Sequence, residues 1–160
     1  MEIVALQGNP YLALVFLHVF AAIVWLGGGA YFHYRFTMLR RANDVAGMVA
    51  TGREVEVVGN RVFAPAAGVV LLMGALMVGF GPYGFDLWIA LALVGYAVTF
   101  ATGMFFIGPT SAKVAAAVEE KGMDSPEVAS QMSRLLTIAR IDYVVLLLIL
   151  ADMVFKPGAS

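Results

Sequence analysis

The sequence predicts an all-α integral membrane protein: a four-helix bundle with both termini outside and a helical extension into the cytoplasm. Three observations carry this. The 160 residues are 61% hydrophobic and 13% charged, too little polar surface for a soluble domain. Uncharged stretches long enough to cross about 30 Å of hydrocarbon at 1.5 Å per residue recur along the chain. Nine of the ten Lys and Arg residues fall between the first and second stretches, or between the third and the body of the fourth. The positive-inside rule places those connections in the cytoplasm. The length suits a single membrane domain, 1–160, in the cell (plasma) membrane.

The first span covers about 11–34, because nothing between Glu2 and Arg35 is charged unless a histidine protonates. Met1 to Pro10 holds Glu2 and no Lys or Arg, unlike the basic start of a secretory signal, so this reads as a permanent span. Arg40 to Asn60 is polar, with Val45, Met48, Val49, Val55 and Val58 at helical spacing. That pattern predicts an amphipathic helix lying against the membrane or the bundle. The second span covers 62–81, and Gly81-Pro82-Tyr83-Gly84 makes a tight turn. Asp86 then caps the third span, 87–108, with Trp88 at the interface. Pro109 kinks or ends that helix, although Ser111 to Lys121 is able to continue it. Gly122 is placed as a C-cap, and Ser125-Pro126-Glu127 as N-cap, N1 and N2 of the last helix. Helices three and four therefore extend as a short antiparallel stalk.

The fourth span, 135–155, contains Arg140, Asp142 and Asp152. Gly95, Thr99 and Gly103, and likewise Ala64 and Gly68, form small-residue ridges suited to close packing. No internal repeat stands out.

Several function classes are excluded early. A net charge of −1 gives no field for nucleic acid. The absence of cysteine removes disulfides, thiolate metal sites and a cysteine nucleophile. No Ser–His–Asp arrangement, phosphate loop or zinc motif is present, and Gly27-Gly28-Gly29 lies inside an apolar helix. Whether the chain is an enzyme is left undecided.

His18 is the most informative residue. It lies about 12 Å along the helix from Pro10, inside the hydrocarbon, where an ionisable side chain is rare and marks a function by default. Trp25 follows seven residues on, nearly on the same face. Ala21, Ala22 and the glycines Gly28 and Gly29 leave a flat gap beside the imidazole, and a neutral imidazole is a standard haem-iron ligand. The competing reading is a packing histidine bonded to a neighbouring helix. His33 is about 22 Å away along the same helix and cannot share the iron. Beside Tyr34 and Arg35 it reads as interfacial and solvated. A sixth ligand would be Met73 or Met77, a second copy's His18, or nothing; Met77 matches His18 best in depth. The same Met and His groups suit copper(I), although no Met-x-Met or His-x-His cluster supports it.

Asp142 and Asp152 lie about 15 Å apart on one helix and cannot both escape the apolar layer. Asp142 is expected to pair with Arg61, or with Arg140, as an ion pair fixing helix order in preference to a proton relay. Asp152 lies at the depth of His18 and is allowed to accept its second N–H, as carboxylates do behind metal-bound histidines.

Leu17-His18-Val19-Phe20-Ala21-Ala22-Ile23-Val24-Trp25-Leu26-Gly27-Gly28 resembles the first helix of the CopD and HemJ group of small membrane proteins. Arg61-Val62-Phe63-Ala64-Pro65 and Ala151-Asp152-Met153-Val154-Phe155-Lys156-Pro157-Gly158 resemble an uncharacterised bacterial four-helix membrane family allied to that group, over nearly the full length. The resemblance implies that His18 occupies the position where HemJ-type proteins ligate haem b. CopD-type proteins are linked to copper uptake. HemJ-type oxidase activity also involves a buried lysine in a later helix, and here no lysine precedes Lys113, so that activity is not carried over.

Three functions follow as expectations. The first is haem b binding through His18, in electron transfer or porphyrin handling, with Trp25, Gly28, Gly29, Met77 and Asp152 around it. The second is transport of copper or another small solute. The third is an accessory subunit of a membrane complex. The expected partners are the lipid bilayer and a second copy or complex subunits, with no nucleic acid.

Overall fold

The computed structural model describes residues 9–81 and 84–158, which form four long helices in up-and-down order. These are α1 (Asn9–Arg41), α2 (Val45–Phe80), α3 (Leu87–Lys121) and α4 (Pro126–Phe155). One end of the bundle holds the start of α1, the turn from α2 to α3 and the end of α4; we call it the terminal end. The other, the loop end, holds the α1–α2 and α3–α4 connections.

α1, α2 and α3 are each long and apolar enough to cross a membrane. In the most apolar window of α1 and of α2 only 6% of residues are buried. Leu12, Phe16, Phe20 and Ile23 on α1, and Val94 and Phe105 on α3, point outward and exposed. Apolar surface of that extent needs lipid or a partner against it. α4 carries Arg140, Asp142 and Asp152 among its apolar residues. It packs antiparallel to α3: Gly158 meets Leu87, and the Lys156 ammonium lies 5.4 Å from the Trp88 ring centroid.

The tightly buried core sits instead at the loop end. Val49, Val114, Ala115, Val118, Val128, Met132 and Leu135 pack together there. Of the two settings expected for Arg40 to Asn60, the structure shows the one against the bundle. From Val45 the segment stands upright as the first turns of α2, with Met48, Val49 and Val55 buried and Val45 exposed. The reason is its partner: the apolar face docks on the last turns of α3. Gly52 permits the approach, since a Cβ there would stand 3.0 Å from the Ser111 carbonyl oxygen and from the Ala115 Cβ. Ion pairs rim this stalk: Arg35–Glu54 at 2.7 Å, Lys121–Glu127 at 2.7 Å, and Arg53 with Glu119.

The caps follow the sequence in position more than in bonding. Asp44 caps α2, accepting from the Gly47 N–H at 2.8 Å. Asp86 and Ser125 occupy N-cap positions without a side-chain bond. Gly122 ends α3 at φ 77°, a conformation open to glycine. The tight turn expected at Gly81 to Gly84 lies partly outside the described residues.

Pro109 neither ends nor breaks α3. Proline has no N–H and its ring crowds the carbonyl four residues back. The chain relieves this with a wide π turn, Gly103–Ile107, closed by Gly108 N–H donating to the Gly103 carbonyl. α2 does the same before Pro65: Gly59–Phe63 is a π turn, closed by Ala64 N–H donating to the Gly59 carbonyl. Both segments read Gly, five residues, Pro, a local repeat invisible to a search for longer similarity. The two turns touch each other. Toward the terminal end α1 packs mainly with α2 and α3 with α4; toward the loop end α2 packs mainly with α3. The π turns mark the level at which the partners change.

The small-residue ridges are used in part. Gly95 receives the side chain of Ile149, and Thr99 is fully buried. A Cβ on Gly103 or Gly68 would meet nothing within 4 Å; Gly103 opens the π turn instead, and Ala67, beside Gly68, is the buried small residue of that ridge.

Candidate functional site

α1 and α2 run antiparallel with a regular register. A Cβ on Gly81 would meet the Tyr11 ring, one on Gly74 the His18 ring, and one on Gly28 the Phe63 ring. Along this seam Tyr11 and His18, seven residues apart on α1, thus meet Gly81 and Gly74, seven apart on the partner segment, and at Gly28 the roles reverse, with the large ring on α2. His18 falls in this seam. Its Nδ1 lies 2.8 Å from the Val70 carbonyl oxygen. A carbonyl only accepts, so Nδ1 carries the proton and Nε2 holds the free lone pair.

The Val70 carbonyl therefore does the orienting that was expected of Asp152. Both Asp152 carboxylate oxygens are buried and make no hydrogen bond, so Asp152 does not bond His18. Met77 lies one turn beyond Gly74, toward the terminal end, on the same stripe of α2 as Val70. Trp25 is engaged elsewhere: it makes an edge contact with Tyr96 at 5.6 Å, and the Tyr96 hydroxyl donates to the Ala67 carbonyl at 3.1 Å.

The space expected beside Gly28 and Gly29 is occupied by protein. The Phe63 ring lies against Gly28, and the Tyr143 ring would stand 3.4 Å from a Cβ on Gly29. These rings fill the gap because the glycines let α2 and α4 lean on α1. Within one chain, the residues proposed for haem do not form a slot for a macrocycle.

A cavity of about 140 Å³ lies elsewhere, between all four helices at the level of the π turns. Gly59, Asn60 and Phe63 line it from one turn, and Gly103, Met104 and Ile107 from the other. A π turn adds one residue to the coil, so backbone and side chains that an α-helix would interlock are splayed; such turns recur at functional sites. Trp25, Gly29 and His33 of α1 complete one side, Ala139, Asp142 and Tyr143 of α4 another, and Glu56 faces in from α2. His18 is not part of the wall.

His33 is not the solvated interfacial residue expected from its position. Its Nε2 donates to the Ala139 carbonyl at 3.0 Å, and its ring tilts on Tyr143 at 5.4 Å between centroids. The helix rotation turns it inward, which depth alone does not reveal. Asp142 does not pair with Arg61 or Arg140. Its Oδ1 is buried without a hydrogen-bond partner, Arg61 is exposed, and the ion pairs found among the described residues are those of the stalk. Arg61 sits inside the π turn, and its side chain is carried away from α4. Serine and threonine in the wall are satisfied locally: Ser111 donates to the Ile107 carbonyl at 2.7 Å and Thr99 to the Gly95 carbonyl at 3.0 Å.

Sequence reasoning thus placed Asp142 and missed its neighbours Glu56, Asn60, His33 and Tyr143. The paired Gly-x5-Pro segments were the signal that would have found them. Among the described residues no group of three or more His, Cys, Asp or Glu gathers as metal ligands.

The family model described as "Predicted integral membrane protein (DUF2269)" matches residues 12–157. No curated protein and no solved structure matches the chain.

Proposed function

We propose, for a chain that belongs to the DUF2269 family of predicted integral membrane proteins, that it crosses the plasma membrane four times and binds a small solute in the cavity between its helices, the core of a transport-type activity. One observation carries the reading: a carboxylate, Asp142, lines a cavity between helices, two of which are interrupted at that level. Ionisable groups inside membrane bundles mark substrate or ion paths, and transporters place their sites where helices are discontinuous. A cavity near 150 Å³ accommodates a molecule of about benzene size.

The test is ligand-induced stabilisation of the purified protein. Solutes of benzene size should raise its thermal midpoint saturably, because a ligand of the folded state stabilises it by mass action. Met104→Trp, which fills the cavity from its wall, should abolish the effect. A panel of varied charge that leaves the wild-type midpoint unmoved would sink the proposal.

A second reading keeps haem b on His18. It is favoured by the imidazole's tautomer, since Nδ1 bonded to a backbone carbonyl leaves Nε2 for a metal, the usual arrangement behind ligated histidines. With the gap inside one chain filled by Phe63 and Tyr143, this reading needs a second copy to complete the pocket. Protein from haem-replete cells should then show a Soret band, lost in His18→Ala, and a colourless wild type that takes up no added haemin rules it out.

A further inference from the structure

We infer that the cavity selects a small organic cation, an ammonium-bearing molecule of about one aromatic ring, with Asp142 as its counter-charge. This rests on the solute-binding reading above and names the substrate class. The charged side chains in the wall are Asp142 and Glu56, and neither Lys nor Arg lines it. Of the cations nearby, Arg35 is paired with Glu54, Arg53 with Glu119 and Lys121 with Glu127, Arg134 lies over the Phe106 ring at 5.8 Å, and Arg140, two residues from Asp142, is exposed. Arg61 is exposed.

The remaining wall is mostly aliphatic and small residues with a group of aromatic rings. Phe32, Phe63, Phe100 and Tyr143 face the space with Trp25. Phe32 and Phe63 meet at 81° and 6.1 Å, and Trp25 and Tyr96 at 83° and 5.6 Å. Rings at such angles present both faces and edges, and ring faces attract a desolvated ammonium. A buried carboxylate oxygen without a donor is costly and is relieved by a cation.

A metal ion fits less well. Hard cations take six or more oxygens, and the cavity offers two carboxylates among apolar walls with no cluster of ligands. A neutral solute would leave Asp142 without a counter-charge, and an anion would face two carboxylates. Neighbouring His33 already donates from Nε2 to Ala139, so it has no N–H to offer Asp142 unless it gains a proton.

Three probes of one size and different charge decide the matter: benzylammonium, benzyl alcohol and benzoate, each measured by equilibrium dialysis against the full-length protein in detergent, with protein-free micelles subtracted. Benzylammonium should bind saturably and about tenfold tighter than benzyl alcohol, the worth of a desolvated cation–π and charge contact, with benzoate weakest. Asp142→Asn should erase the preference while benzyl alcohol still binds, which shows that the variant is folded. Benzyl alcohol binding as tightly as benzylammonium overturns the inference and leaves the solute cavity standing. Wild type that binds none of the three overturns both. Asp142→Asn that keeps the tenfold preference removes Asp142 as the counter-charge and overturns the inference as stated.

Discussion

Asp142 shows how far a single residue can be read before its neighbours are known. Counting along α4 placed at least one of Asp142 and Asp152 in an apolar layer, and with it the need for something to compensate the charge. The partner did not follow. Counting fixes height, whereas pairing depends on the rotation of each helix, and the π turn at Gly59–Phe63 adds a residue that swings Arg61 outward. Two consequences differ from those of an ion pair. Arg61→Ala should change stability by no more than about 0.5 kcal/mol, as for surface positions, and its effect should add to that of Asp142→Asn. Asp142→Leu should stabilise the ligand-free protein by about 1–2 kcal/mol and so raise its thermal midpoint, because it removes a buried oxygen left without a donor at the expense of ligand binding. Thermal denaturation of wild type, the three single variants and the Arg61→Ala/Asp142→Asn double variant in one detergent checks both; a Leu variant less stable than wild type would show that Asp142 is held by contacts after all. His18 repeats the lesson in milder form: its inward direction and its bond to a neighbouring helix were legible, and the bond's acceptor, the Val70 carbonyl, was not.

At the level of elements, the first three helices were legible because apolar runs of membrane length have few other solutions, whereas α4, broken by Arg140, Asp142 and Asp152, does not qualify on apolar length. Their ends were less so, since each helix continues past the apolar stretch into the stalk. Proline misled most. Its usual effect in a helix is a stop or a kink, and Pro65 and Pro109 instead sit just after wide turns that let the helix run on. What the stalk asks of its sequence is clearer. At Gly52 the backbone of α3 stands within contact of any Cβ, at 3.0 Å from the Ser111 carbonyl oxygen, and a backbone cannot step aside as a side-chain tip can. Gly52→Leu should therefore cost about 1–3 kcal/mol through overpacking, or separate α2 from α3 at the loop end. Gly27→Ala, where a Cβ meets nothing within 4 Å, should be neutral or slightly stabilising. Equal losses in the two variants, measured by thermal denaturation, would mean that the stalk is not closely packed at Gly52.

For the molecule as a whole, the decisive matter is how many times the chain crosses and which way it faces. Three helices qualify by apolar length alone, and α4 does not, because Arg140, Asp142 and Asp152 interrupt it. Packing supplies what composition withholds. α4 runs antiparallel beside α3, with Gly158 against Leu87 and Lys156 over Trp88 at the terminal end, while Lys121 pairs with Glu127 at the loop end. If α3 crosses, α4 crosses with it, and Asp142, half-buried, lies in the cavity wall. The side follows from charge: the loop end holds Arg40, Arg41, Arg53, Lys113, Lys121 and Arg134, and the terminal end holds Lys156, an asymmetry that directs the loop end to the cytoplasm. The chain has no cysteine, so single cysteines report without background. Gly122, at φ 77°, is a poor site for one; Ala42 and Asp124, both exposed, serve the loop end, and Gly84 and Pro157, also exposed, the terminal end. In intact cells an impermeant thiol reagent should label Gly84→Cys and Pro157→Cys, and should label Ala42→Cys and Asp124→Cys only after the membrane is opened. Labelling of Asp124→Cys together with Pro157→Cys would show that α4 does not cross, and labelling of Ala42→Cys and Asp124→Cys alone would turn the molecule over.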